Sequence, residues 1–325
     1  MPERRFVRPS VSRRVAGAGL GIVLLGGGTG ACGTGTGSGT GAAAKEAAPV
    51  LTPAEAVAKA AEDSDDITSL HYRITGSVPE RGRLTAEAFM RTAPLAMSMK
   101  MTTSALRAKG PMKVRYVGRT LYVGGSAIDV VKSGATGVDT EELGDKDWLR
   151  LGPATWGRYS VDNNTYKMLP RQIEGSPITQ STLLTGSKNV RKVGAETIHG
   201  ARTTHYRGTV TGEGMRAARD TAKGKTARER QINSLDQFLG LWLDKSLTMD
   251  LWIDEDGRAK RFHLFGDSYK ARYSAAGKPL KPTVGEPVDM TVTFLAVNEP
   301  VAITAPPAGD TADLGALLGA PAQSG

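Results

Sequence analysis

From Leu70 onward one constraint dominates the chain: apolar residues return at every second position, run after run. Leu70, Tyr72 and Ile74 alternate with His71, Arg73 and Thr75. Met97, Met99 and Met101 alternate with Ser98, Lys100 and Thr102, and Met112, Val114 and Tyr116 with Lys113, Arg115 and Val117. Successive side chains of a strand point to opposite faces, so this period predicts a sheet with one apolar and one solvated face. Leu84 to Arg91, Thr120 to Val123 and the short run Trp148, Leu149, Leu151 continue it, with a turn at Gly118-Arg119. Val190 to Ile198 and Thr203 to Val210 flank His199-Gly200-Ala201-Arg202, a hairpin signal. Thr248 to Ile253 and Arg258 to Phe265 flank Asp254-Glu255-Asp256-Gly257, where Gly257 can take positive φ. Tyr269 to Tyr273 and Val288 to Val297 complete the strands, and Asn298-Glu299-Pro300 leaves the sheet. The expectation is an antiparallel meander.

Helices are few. Thr52-Pro53-Ala54-Glu55 has the form of a capping box with proline at the first helical position. Ala54, Val57, Ala58 and Ala61 follow on one small apolar face, suited to packing on a sheet. Ser176 to Gly186 reads as a short helix with Ile178, Leu183 and Leu184 inward, and Gly124 to Lys146 reads as a loop. Glu213 to Arg230 is charged, and Ile232, Leu235, Phe238, Leu239 and Trp242 then recur at helical spacing. The span 211–246 thus reads as a polar helix running into an amphipathic one across the open sheet face, either a plain connection or a lid.

The N-terminus is of another kind. Arg4, Arg5, Arg8, Arg13 and Arg14 precede a mostly apolar stretch, Val15 to Leu25, too short and glycine-rich to span a bilayer. Small residues lead to Cys32, the only cysteine. Thr29-Gly30-Ala31-Cys32 resembles the lipobox of bacterial lipoproteins, although Thr29 stands where that motif has Leu, Val or Ile. The resemblance implies cleavage after Ala31 and a diacylglyceryl group on Cys32, hence a membrane anchor. Ser12-Arg13-Arg14 partly resembles a twin-arginine signal, so the export route stays open. Residues 1–31 are the expected signal peptide. Residues 32–49, rich in Gly, Thr, Ser and Ala, are a flexible tether spanning roughly 20 Å. Residues 50–310 form the folded domain, and 311–325 a disordered tail. No later segment is apolar enough to cross a membrane as a helix.

Net charge is +9, of which residues 1–31 contribute +4. The remaining excess suits an anionic membrane surface, and no aromatic–basic motif points to nucleic acid. His71, His199, His205 and His263 have no metal-ligand spacing, and the acidic turn at 254–257 lacks the further oxygens of a calcium loop. There is no G-x-S-x-G elbow, and Gly28, Gly30 and Gly33 match a dinucleotide motif by spacing alone. Neither enzyme, metal site nor cofactor is expected.

Gly200-Ala201-Arg202-Thr203-Thr204-His205-Tyr206 resembles the G-x-x-T-x-H-Y strand entry of actinobacterial cell-surface lipoproteins. Trp252 to Arg258 resembles their W-[IV]-D-x-x-G turn, and Asn298-Glu299-Pro300 with Ile303 and Pro306-Pro307 their ending. These are the mycobacterial LppX/LprG-type lipoproteins, with a fold similar to the LolA/LolB carriers. The resemblance implies an α+β fold: a strongly curved antiparallel half-barrel with helices packed in its concave face. It also implies an apolar cavity for acyl chains of lipids or glycolipids, and a location on the outer face of the cytoplasmic membrane. The residues expected to line that cavity follow from periodicity: Met97, Met99, Met101, Met112, Val114, Leu183, Leu184, Leu235, Phe238, Leu239 and Trp242. Methionine adapts to irregular apolar guests, but it also fills ordinary cores. A monomeric carrier is expected; the alternative is a sensor or interaction module of the same fold with a filled cavity, binding a protein partner.

Overall fold

The computed structural model describes residues 51–79, 82–104, 110–133, 140–152, 177–241, 243, 245–273 and 279–317. Cys32, the leader, the tether and Trp242 lie outside the described residues. The strands are β1 (Ser69–Val78), β2 (Gly82–Thr92), β3 (Leu95–Thr103), β4 (Met112–Val117), β5 (Thr120–Gly125) and β6 (Trp148–Leu151). Then come β7 (Arg191–Ile198), β8 (Ala201–Thr211), β9 (Ser246–Asp254), β10 (Ala259–Tyr273), β11 (Pro279–Val297) and β12 (Thr311–Asp313). They form one open, curved sheet in the order β12-β6-β5-β4-β3-β2-β1-β11-β10-β9-β8-β7. Every neighbouring pair is antiparallel except β12 with β6.

The sheet is two meanders joined at their first and last strands. β1–β6 and β7–β11 each run up and down between neighbouring strands, with long helix-bearing connections only from β5 to β6 and from β8 to β9, and β1 pairs with β11 from Leu70↔Val297 to Ser77↔Asp289. Two turns carry positive φ at both central residues, Gly118 (56°) with Arg119 (64°) and His199 (47°) with Gly200 (81°). That twist matches the flanking strands. The hairpin predicted around residues 199–202 therefore turns on two residues, and β8 begins at Ala201. In the 254–257 turn the Asp254 carboxylate accepts from the backbone N–H groups of Asp256 (3.1 Å) and Arg258 (2.8 Å). Its charge closes the turn locally.

The helices pack on the apolar, concave face: α1 (Pro53–Asp63), α2 (Ser126–Lys132), α3 (Thr140–Leu143), α4 (Pro177–Ser181), α5 (Gly212–Thr221), α6 (Lys225–Gly240) and α7 (Leu314–Leu317). The capping box of α1 forms, with Thr52 accepting from the Glu55 N–H and the Glu55 carboxylate accepting from Thr52 N–H at 2.8 Å. A 3-10 turn, Leu183–Gly186, follows α4.

Two expectations need correction. Gly124 to Lys146 is not simply a loop: Ile128 and Val131, one helical turn apart, are both buried by α2. Nor does order end at Asp310, since Thr311–Leu317 forms a strand and a short helix. From Asn298 it crosses the polar face of β1–β4, where Thr304 O accepts from Arg115 Nη1 (3.2 Å) and Gly309 O from Lys146 Nζ (2.6 Å). It then pairs with β6 as β12 and buries Leu317. The Pro/Ala-rich composition concealed a strap held by backbone carbonyls.

Candidate functional site

The concave face carries a methionine row on β3. Met97 lies between Met90 of β2 and Tyr116 of β4, Met99 between Ala88 and Val114, and Met101 between Ala86 and Met112. The three are 2–3% exposed, as the alternation predicts. Met215, Met249 and Met290 are buried in the same cluster. Ala86 and Ala88 are short, so the long thioether chains beside them fill the volume over β2. Tyr72 Oη reaches Met97 Sδ at 3.9 Å.

Glycine sets how closely the helical layer approaches. A Cβ on Gly208 of β8 would lie 2.4 Å from Ser187 Oγ and 3.0 Å from Leu184 Cδ1. A Cβ on Gly214 of α5 would lie 2.1 Å from Gly186 O. The 3-10 turn thus settles directly on the sheet with α5 directly on the turn. Leu183 and Leu184 are fully buried there.

α6 is held differently. Its buried residues are Gln231, Ser234, Leu235 and Phe238, half of them polar. Thr182 Oγ1 and Ser234 Oγ are 2.6 Å apart, Gln231 Nε2 donates to Thr185 Oγ1 at 3.1 Å, and Arg230 Nε donates to Asp65 at 3.0 Å. The Asp65 hydrogen bond holds the Arg230 guanidinium above its ordinary pKa.

Of the expected cavity residues, Met97, Met99, Met101, Val114, Leu183, Leu184, Leu235 and Phe238 meet in one cluster, with Met112 half-buried against it. Leu239 does not: it is 50% exposed, because only one stripe of α6 can face inward and Leu235 with Phe238 occupies it.

Strand periodicity could not reveal the cluster on the opposite face of β8–β11. Cross-strand register aligns Arg207, Asp250 and His263 in one row, and His205, Trp252 and Arg261 in the next. Asp250 is 2% exposed. Arg207 donates to it through Nε (2.6 Å) and Nη2 (2.9 Å), His205 Nε2 lies 2.6 Å away and His263 Nδ1 3.5 Å. Burial alone would raise the Asp250 pKa, but hydrogen bonds from His263, Arg207 and His205 outweigh it and hold the carboxylate far below its usual range. His263 also lies 2.8 Å from Asp289; its hydrogen bond with Asp250 raises its pKa against the effect of burial. Trp252 stacks on His205, ring centroids 4.3 Å apart, and donates to Glu196. Among the described residues no group of three His, Cys, Asp or Glu is placed to hold a metal ion.

No family model matches the sequence. A Streptomyces griseus protein described as an uncharacterized 31.2 kDa protein in the rplA-rplJ intergenic region is 26% identical over 194 residues. The match covers 52% of this chain and 62% of that relative, so the chain spans less than two thirds of the relative's length. Solved structures similar to the chain include the lipoprotein LppX of Mycobacterium tuberculosis, 18% identical with a TM-score of 0.42, covering 78% of this chain and 98% of LppX. LprF from Mycobacterium bovis is 12% identical with a TM-score of 0.44, covering 78% and 96%. The MucA/MucB complex of Pseudomonas aeruginosa is 13% identical with a TM-score of 0.28, covering 79% and 59%.

Proposed function

We propose that the chain is an exported protein, anchored through a diacylglyceryl group on Cys32, that binds acyl chains of a lipid or glycolipid between its sheet and helices. The observation that carries this reading is the methionine wall on the concave face, Met90, Met97, Met99 and Met101 beside the short Ala86 and Ala88. An unbranched, polarisable side chain can change rotamer around a guest where a β-branched one cannot. Each acyl CH₂ taken from water contributes about 0.8 kcal/mol, enough to displace such packing when a chain is long.

Entry would follow from lifting α6. Its polar seam with Thr182, Thr185 and Asp65 can re-form hydrogen bonds to water, so opening exposes mainly Leu235 and Phe238. Gly224, with φ of 85°, separates α5 from α6 and suits a hinge, while the Gly186–Gly214 contact keeps α5 in place. The process is passive binding and release, without a chemical step.

One observation favours a second reading. These four methionines are only 1–3% exposed, and a filled core suits an interaction module that binds a protein partner. Native mass spectrometry separates the two, using the chain from residue 50 onward, a compact unit of its own, produced in an actinobacterial host. Added mass that dissociates and extracts as lipid is the expected result. A bare protein mass that takes up no added phospholipid or glycolipid would favour the module. For the anchor, Cys32→Ser is expected to release the protein from membranes; retention after a high-salt wash would contradict it.

A further inference from the structure

The last hairpin outruns its neighbours. β9 stops pairing with β10 at Thr248↔Phe265, and β1 stops pairing with β11 at Ser77↔Asp289. β10 and β11 continue together through Asp267↔Pro287, Tyr269↔Val284, Lys270↔Thr283, Arg272↔Leu280 and Tyr273↔Pro279. From Tyr269 to Tyr273, at about 3.3 Å per residue, this two-stranded ribbon runs about 16 Å beyond that pairing. An isolated bridge, Leu243↔Ser268, ties its base to the chain after α6. Along β11, Val288 and Met290 are buried in alternation, but from Leu280 to Pro287 every residue is exposed except the half-buried Gly285. Val284 is 64% exposed and Leu280 43%.

A free two-stranded ribbon is marginal in water, and this one presents apolar side chains to solvent. Its composition indicates what would cover it. Pro279, Pro282 and Pro287, with two register irregularities, spoil its edges for adding a further strand. Its charges are sorted along its length. Asp267 and Glu286 lie at the base, whereas Lys270, Arg272 and Lys281 lie farther out with no acid among the described residues there. Basic residues with tyrosines and aliphatic side chains match the interfacial zone of a bilayer with anionic headgroups.

The ribbon also adjoins the helix that would open. A Cβ on Gly266 would lie 2.8 Å from Ser246 O and 3.2 Å from Leu243 Cδ2, so the ribbon base is packed against the segment joining α6 to β9. The exposed Leu239 is four residues before Leu243, near the end of α6.

We propose that the distal β10–β11 ribbon, whose strands carry Lys270, Arg272 and Lys281, docks on a membrane surface rich in anionic lipid headgroups, placing Leu280 and Val284 at the interface. It names where lipid would be exchanged and, in that respect, rests on the acyl-binding reading.

The test uses residues 32–325 carrying Cys32→Ser, sedimented with vesicles of phosphatidylglycerol and phosphatidylcholine or of phosphatidylcholine alone. The expected result is binding to the anionic vesicles only, about 100-fold weaker in Lys270→Ala/Arg272→Ala/Lys281→Ala. Leu280→Ser/Val284→Ser is expected to weaken it as well, with unchanged thermal unfolding in both variants. Equal binding of the triple variant, equal binding to neutral vesicles, or no binding by the parent protein would overturn the proposal. So would a concentration-dependent dimer abolished by Leu280→Ser/Val284→Ser, which would assign the ribbon to a second copy. Lipid extracted from the same samples is read separately: its absence from the parent counts against acyl binding and leaves docking standing.

Discussion

The two faces of β8–β10 are made from the same strands and solve opposite problems. On the concave face Met249, Leu251 and Leu264 are closed to solvent within the apolar cluster. On the other face Arg207, Asp250 and His263, from the same strands, form a charged row at distances as short as 2.6 Å. Dispersion contacts are weak and non-directional, so the concave face can be rearranged in small steps. A buried carboxylate cannot: moving it strands a charge. The polar row therefore resists a change of strand register, whereas the apolar face can be repacked at smaller cost. One sheet can in this way be rigid in its backbone and yielding on its inner surface.

The largest effect is expected from breaking the rigid side. Asp250→Ala leaves Arg207 and two histidines without their shared acceptor and should destabilise the fold by about 3 kcal/mol in urea unfolding. A loss below about 1 kcal/mol would mean that the row is dispensable. Next is Gly214→Ala, whose Cβ would meet Gly186 O at 2.1 Å. It should cost about 2 kcal/mol and loosen α5 from the 3-10 turn, read by faster amide exchange in α5. Met99→Leu sharpens the comparison from the other side. Stability should change by less than about 1.5 kcal/mol, while lipid uptake falls because the branched side chain adapts less. Unchanged uptake would detach methionine from function.

The smallest effect is in pH. The raised pKa of His263 adds stability that is complete below its unfolded-state value near 6.5 and is lost as pH rises through the higher folded-state value. The lowered Asp250 pKa works in the opposite window, adding stability above about 3.8 that is lost in stronger acid. His263→Gln should therefore flatten the decline in stability as pH rises above about 6.5 while leaving acid unfolding below about pH 4 in place.

The concave face was largely legible in the sequence because alternation states which residues share a side. It identified Met97, Met99 and Met101 as inward and Ser98, Lys100 and Thr102 as outward, and the positive-φ turns were readable at Gly118-Arg119 and Gly257. Alternation does not state which strand lies next to which. The pairing of β1 with β11 joins residues more than two hundred positions apart, and the Asp250 row exists only through register. Leu239 was misplaced because helical spacing marks a face about half a turn wide, within which packing chooses the stripe. The strap over 298–310 is held by backbone carbonyls, which no side-chain pattern reports.

The most direct test locks α6. Thr182 Oγ1 and Ser234 Oγ are 2.6 Å apart, so Thr182→Cys/Ser234→Cys places two thiols within bonding reach, and the chain from residue 50 onward has no other cysteine. Uptake of a fluorescent acyl lipid is then measured on one sample, oxidised and after reduction. The account predicts no uptake when the disulfide is closed and recovery when it is reduced. Equal uptake in both states, or none in either, would contradict it.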